Sequence, residues 1–271
     1  MIVGGLTNDV DQGVMSPIYF MEELHKASQS IIFDAVALHP YWALNMPETL
    51  KPHKITAFAK PESKSMFDYV TSFGDETSKL FGIRIPIWIT EVGYDLSWLI
   101  EMNESYMLPE EDLQAITLSR IYTSLLSIPD VEAVFWYSYK NDSTPREFSL
   151  TESSKRAFKT LTKALTDSTA LGRHDIVDID GNSIENTYEY RFARGDGDTV
   201  SLYWKNSPEH NPLSVKVVDL REIPAYHYDF DSEWSVFSRI KEDGSSSFEI
   251  TEIPKLLIGK MTSDTKLVIE G

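Results

Sequence analysis

Four times within the first 165 residues, a short apolar run gives way to a longer stretch with apolar residues at helical spacing. No other feature restricts the chain as much, because strands separated by helices assemble as a parallel sheet with crossover connections. The first run is Ile2-Val3-Gly4-Gly5-Leu6, after which Ser16 and Pro17 supply a helix cap and first turn for Ile18, Met21, Leu24 and Ala27. The second, Ile31 to Leu38, ends in His39-Pro40-Tyr41-Trp42 and leads through a loop to a helix around Met66 to Leu80. The third, Ile85 to Glu91, opens a long loop before Pro109-Glu110-Glu111 start a helix with Leu113, Ile116, Ile121 and Leu125 inward. The fourth, Val131 to Tyr137, precedes a helix carrying Phe158, Leu161 and Leu165. Four β/α units are evident and a fifth is not.

Beyond about residue 166 the helical period disappears. Tyr188, Tyr190 and Phe192 alternate with charged neighbours up to the turn Arg194-Gly195-Asp196-Gly197-Asp198, and Val200, Leu202 and Trp204 alternate after it, which spells a hairpin. Further short runs lie at Leu213 to Val218, Trp234 to Ile240, Phe248 to Ile250 and Lys266 to Ile269, with Gly244-Ser245-Ser246-Ser247 as a loop. The expected organisation is an α/β part over 1–165 and an all-β part over 166–271, the latter an antiparallel β-sandwich.

Charge and composition exclude several functions. With 25 Lys+Arg against 42 Asp+Glu, the net charge of -17 repels a phosphate backbone or an anionic bilayer, so neither nucleic acid nor membrane is an expected partner. No stretch has the apolar length of a transmembrane helix, and Asp9 and Asp11 occupy the place of a signal peptide's basic and apolar regions. The absence of cysteine removes disulfides, thiolate metal sites and a cysteine nucleophile, while leaving the compartment open.

In a β/α barrel, catalytic groups sit at the C-terminal ends of the strands. Three of the four runs end in such groups: His39 and Tyr41, then Glu91, then Trp136 and Tyr137. A carboxylate held beside His and Tyr donors and an aromatic face suits a sugar, whose reacting carbon becomes oxocarbenium-like and whose ring has an apolar side. Taken alone, Glu91 is more simply a solvated or salt-bridged residue, and His39 a core histidine bonded to a carbonyl. Trp88, on the opposite side of the alternation from Glu91's neighbours, reads as structural.

The stretches Phe33-Asp34-Ala35-Val36-Ala37-Leu38-His39-Pro40-Tyr41, Ile85-Pro86-Ile87-Trp88-Ile89-Thr90-Glu91-Val92-Gly93-Tyr94 and Val134-Phe135-Trp136-Tyr137, in this order, resemble strands six, seven and eight of clan A retaining glycoside hydrolases, family 39-like members above all. Thr90-Glu91-x-Gly93-Tyr94 is the most specific of these patterns. The resemblance implies a partial (β/α)8 TIM barrel, strands five to eight, with Ile2 to Leu6 as strand five. It implies Glu91 as the catalytic nucleophile, His39 and Tyr41 as the residues that position it and bind sugar, and Trp136 as the floor of the subsite. No cofactor and no metal is implied. The β-rich tail resembles the accessory sandwich of such enzymes, most of all at Tyr190-Arg191-Phe192-Ala193-Arg194-Gly195-Asp196-Gly197.

Against that family one element is missing: the general acid/base glutamate follows an asparagine at the end of strand four, and no counterpart of strands one to four is recognisable. Asn103-Glu104 has the dipeptide but falls after strand seven, so the role is not transferred to it. A retaining mechanism needs two carboxyl groups about 5 to 5.5 Å apart, and four units leave two open sheet edges and an uncovered inner face. The chain is therefore expected to be the C-terminal part of a longer enzyme, to pair with a second chain, or to form a homodimer that completes the barrel around a carbohydrate substrate. The competing class is a non-catalytic carbohydrate-binding or structural remnant. Asp178-Ile179-Asp180-Gly181-Asn182 reads as a turn rather than a calcium loop, since the later acidic ligand is absent, and Arg194-Gly195-Asp196 reads as hairpin turn chemistry. Asn103-Glu104-Ser105 and Asn141-Asp142-Ser143 fit a glycosylation acceptor pattern.

Overall fold

The structure is a computed structural model that describes residues 1–7, 15–28, 30, 32–42, 45–53, 62–139, 148–207, 212–218, 222–229, 238–239 and 247–269. It divides into two compact units, one built from Met1–Met102 with Ser124–Leu150 and the other from Asn103–Thr123 with Thr151–Gly271.

In chain order the elements begin with β1 (Ile2–Thr7), α1 (Pro17–Ala27) and β2 (Ala35–His39), followed by the short pair β3 (Lys51–His53) and β4 (Glu62–Lys64). Next come α2 (Met66–Phe81), β5 (Ile87–Val92) and α3 (Leu96–Tyr106); α4 (Leu113–Leu126) then leads to β6 (Val131–Trp136). Strands β1, β2, β5 and β6 form one parallel sheet in that order. Sequential strands with helices between them are adjacent, as the alternation predicts.

Local sequence explains the helices. Ser16 caps α1 by accepting from the Tyr19 N–H, with Pro17 in the first turn. Ser65 caps α2 by accepting from Asp68 N–H at 3.1 Å, and Gly82 ends it in the left-handed conformation, its N–H 2.8 Å from the Ser78 carbonyl. The Phe81 ring meets His25 of α1 and Phe33 edge-on, at 5.0 and 5.5 Å between centroids. Burial of Tyr69, Val70 and Phe73 along α2 contributes about 1.5–3 kcal/mol for each side chain. In β2, Val36 and Leu38 have no exposed surface, and they pair in register with Ile87 and Ile89, which are as deeply buried.

The segment after β5 is not the long loop expected from sequence. It contains α3, started by Asp95, whose carboxylate accepts from Ser97 N–H at 2.8 Å, and held by the buried Leu99 and Met102. The expectation failed because only two apolar residues of this helix face inward, and Trp98 and Ile100 blur the period. Asn103 therefore lies on a helix, where its side chain grips both the N–H and the carbonyl of Leu108.

The second unit holds the turn Glu110–Asp112, most of α4 and, from residue 151 onward, α5 (Glu152–Leu165) and the β-rich tail. The tail comprises β7 (Ser168–His174), β8 (Thr187–Arg194), β9 (Thr199–Lys205), β10 (Leu213–Val218) and β11 (Glu222–Asp229). It ends with β12 (Ser238–Arg239), β13 (Ser247–Ile250), β14 (Lys255–Lys260) and β15 (Lys266–Ile269). One antiparallel sheet has the order β12-β11-β14-β9-β8-β7 and another β13-β10-β15. Tyr203 and Leu257 from the first share a core cluster with Val215, Val217, Ile250 and Leu267 from the second.

The hairpin turn at Arg194 to Asp198 joins β8 and β9, with Gly197 at φ 83°. The alternation of apolar and charged residues on β8 does not mark an exposed face, however: Glu189 and Arg191 are as buried as Tyr190 and Phe192. Their charges are tolerated because Arg191 Nε donates to Glu189 at 2.6 Å and Ser201 donates to the same oxygen at 2.7 Å. The sequences of β7 and β14 do not alternate apolar with polar residues; β14 is a central strand with a continuous apolar run, and β11 shifts register around Pro224. Of the expected run Trp234 to Ile240, only β12 lies among the described residues, and Asn141-Asp142-Ser143 lies outside them. The Asp178 loop is a turn closed on its own backbone, with Asp180 and Asn182 N–H groups donating to the Asp178 carboxylate at 2.9 and 2.8 Å.

Candidate active site

Glu91, His39 and Tyr41 meet at the C-terminal ends of β2 and β5. Tyr41 donates its hydroxyl to Glu91 Oε2 at 3.0 Å, and His39 Nδ1 lies 3.5 Å from the same oxygen. The other imidazole nitrogen, Nε2, is 2.8 Å from Thr90 Oγ1. Glu91 remains 39% exposed while the His39 side chain is 17% exposed, so the carboxylate is reachable and the imidazole largely is not.

Backbone geometry assembles this cluster. Tyr41 N–H donates to the His39 carbonyl at 3.1 Å, a two-residue reversal with Pro40 at its centre, and this aims both side chains at one carboxylate oxygen. Successive residues of a regular strand face opposite sides of the sheet. Thr90 and Glu91 nevertheless both contact His39, because the β5–β6 pairing shifts register between Ile89 and Val92. Gly93 follows at a crowded point: a Cβ there would stand 2.3 Å from the Tyr137 carbonyl oxygen. Only glycine lets the ends of β5 and β6 approach this closely, which gives the glycine of the Thr90-Glu91-x-Gly93-Tyr94 pattern its physical reason.

Burial is the main cause that raises the Tyr41 phenol above its ordinary value, with the charge of Glu91 and its hydrogen bond adding to it. The phenol thus stays protonated and serves as a donor. Burial pulls His39 below its ordinary value, against a smaller upward push from Glu91, so its imidazole is held toward the neutral form.

Trp136 is half-buried, and its indole N–H donates to the Phe148 carbonyl at 3.2 Å. Tyr137, which closes the fourth apolar run, is 37% exposed and near enough to Tyr41 to add to the upward push on its phenol. The register shift in β5–β6 is what hides Tyr137 from a count of strand alternation. Trp88 donates to Glu132 at 3.2 Å and stacks obliquely on Phe135, 6.3 Å away. Among the described residues, no group of three His, Asp or Glu side chains is arranged to hold a metal ion.

Solved structures to which this chain is similar include glycoside hydrolases of several families. One is a family 39 glycoside hydrolase from the gut symbiont Bacteroides cellulosilyticus WH2, at TM-score 0.59 and 18% identity over 89% of this chain and 47% of that one. A family 44 xyloglucanase from Paenibacillus polymyxa follows at TM-score 0.43 and 10% identity, covering 90% of this chain and 50% of that one. A family 51 arabinofuranosidase from Xanthomonas axonopodis pv. citri gives TM-score 0.45 and 10% identity, with 95% and 57% covered. The chain thus spans about half the length of these structures. No family profile and no curated protein matches the sequence.

Proposed function

We propose that this chain carries the nucleophile half of a retaining glycoside hydrolase, built as strands five to eight of a (β/α)8 barrel followed by an antiparallel sandwich. The observation that carries the reading is the exposed Glu91 carboxylate at a parallel strand end, with one oxygen engaged by Tyr41 at 3.0 Å and faced by His39. Support comes from the shared fold with a family 39 glycoside hydrolase.

In this mechanism Tyr41 and His39 fix Oε2 and leave Oε1 to attack the anomeric carbon. The bond from that carbon to the leaving oxygen breaks as the ester to Glu91 forms, and a second carboxyl group protonates the departing oxygen. That acid/base is a carboxyl group other than Glu91, which supplies only one of the two the mechanism needs. Tyr137 and Trp136 offer the aromatic surface on which the sugar ring packs.

An activated fluoroglycoside tests the nucleophile alone. Its dinitrophenolate leaves with the electron pair and needs no proton, and the fluorine slows hydrolysis of the ester. Incubating the native assembly with xylose, glucose and galactose versions is expected to add one fluorosugar to the peptide containing Glu91, read by mass spectrometry, with none added in Glu91→Gln. Absence of labelling across the panel, or equal labelling of Glu91→Gln, would overturn the assignment and favour a binding or structural role.

A further inference from the structure

We infer that Thr90 is a positioning residue whose hydroxyl donates to Nε2 of His39 and so supports the imidazole tautomer, demanded by Glu91, that presents Nδ1–H to the carboxylate. The inference deepens the reading of Glu91 as a nucleophile and rests on it for its meaning in catalysis.

A neutral imidazole carries one N–H and one lone pair, and here its nitrogens face chemically different partners. Nδ1 faces Glu91 Oε2 at 3.5 Å, and Nε2 faces Thr90 Oγ1 at 2.8 Å. An ionised carboxylate can only accept, so a lone pair on Nδ1 would set negative density against negative charge. A hydroxyl donates or accepts by rotating about its C–O bond. Thr90 therefore accommodates the tautomer that Glu91 demands: its O–H turns to donate to Nε2, and the single imidazole proton resides on Nδ1.

The surroundings leave few substitutes for that hydroxyl. His39 is mostly withdrawn from water, which limits solvent as a donor to Nε2. Gly5, at φ 91°, stands beside the ring edge, where an added Cβ would come to 3.5 Å from Cε1 and 3.8 Å from Nε2; with no side chain it provides no polar group. Tyr41 is committed to Glu91 Oε2. The register shift between Ile89 and Val92 turns two consecutive side chains onto one histidine, an arrangement that a regular strand excludes.

Long-range proton–nitrogen NMR of the full chain carrying nitrogen-15 histidine reads the tautomer directly, without substrate. The chain has 6 histidines, and His39 is assigned by the signal lost in His39→Gln. At neutral pH the wild-type signal is expected to show a protonated Nδ1 and a bare Nε2. Thr90→Val is expected to keep Nδ1 protonated while the Nε2 resonance moves downfield with the loss of its hydrogen-bond donor, and Thr90→Ser to leave Nε2 where it is in the wild type, while the other histidine signals stay in place as the check on folding. A wild-type His39 protonated on Nε2 overturns the inference even if every variant misfolds, and so does an unmoved Nε2 resonance in Thr90→Val. If the tautomer is as expected but Glu91 takes no fluoroglycoside label, the glycosidase reading fails while the control of His39 by Thr90 stands.

Discussion

His174 shows how a single buried ring links this protein's stability to pH. It lies on β7 opposite Glu189, its Nε2 is buried without a hydrogen-bond partner, and burial followed by the charge of Arg191 lowers its proton affinity against weaker pulls from Glu189 and Asp175. The folded protein thus refuses a proton that the unfolded chain accepts once the pH falls below about 6.5. The stability this linkage contributes is complete above that pH and is lost as the pH drops toward the lowered folded value. The urea midpoint is expected to fall between about pH 7.5 and about pH 5, and to fall less in His174→Gln; an identical fall in both proteins would refute the linkage. Single residues were also where sequence reading reached furthest and then stopped. Glu91, His39 and Tyr41 stood out because each closes an apolar run, and the structure brings them together. Tyr137 closes a run too, but its approach to Tyr41 was not legible, since it follows from a shifted strand pairing that no alternation pattern records. Nor did pattern reveal the buried Glu189–Arg191 pair, which the same alternation assigns to solvent.

Among the elements, α4 departs furthest from its pattern. Its apolar stripe was legible, yet Gln114, Thr117, Ser119, Arg120 and Thr123 on its other sides are buried too. A helix buried all round with polar residues needs partners for them. Thr117 and Ser119 donate back to carbonyls four residues earlier, and Gln114 accepts from Thr151 N–H and Ser154 Oγ at the start of α5. Arg120 donates to the Lys205 carbonyl at 3.2 Å, to Asn206 at 3.3 Å and to the Glu252 carbonyl, beside the buried Lys205–Glu252 ion pair. Arg120→Ala strands these acceptors in the interior, and a loss of about 3–5 kcal/mol in unfolding free energy is expected from urea titration. Arg120→Lys is expected to recover little of it, because an ammonium lacks the planar fork that spans several acceptors. A loss below about 1 kcal/mol would mean that the carbonyls find other donors. The α3 helix was missed for the opposite reason: too few of its residues face inward to print a period.

At the scale of the whole molecule, the four-stranded parallel sheet was legible from its repeating run-and-helix texture, and the β-rich tail from its turns. The order of the six-stranded sheet was not, because β14 pairs between β9 and β11 from a distance that no local signal encodes. The parallel sheet leaves Phe135 49% and Ile2 42% exposed, and parallel strands are ordinarily covered on both faces. The 271-residue chain by itself is therefore expected to self-associate at micromolar concentration, and Phe135→Glu to shift it toward monomer in analytical ultracentrifugation. Monomer for both would show that this face does not bind. The pair of rings there also has an optical consequence. Trp88, half-buried and bonded to Glu132 at 3.2 Å, sits where emission reports the wetness of its surroundings. When the sheet is covered and water leaves, its fluorescence moves to shorter wavelength, so the molecule carries an intrinsic gauge of whether this face of its sheet is covered.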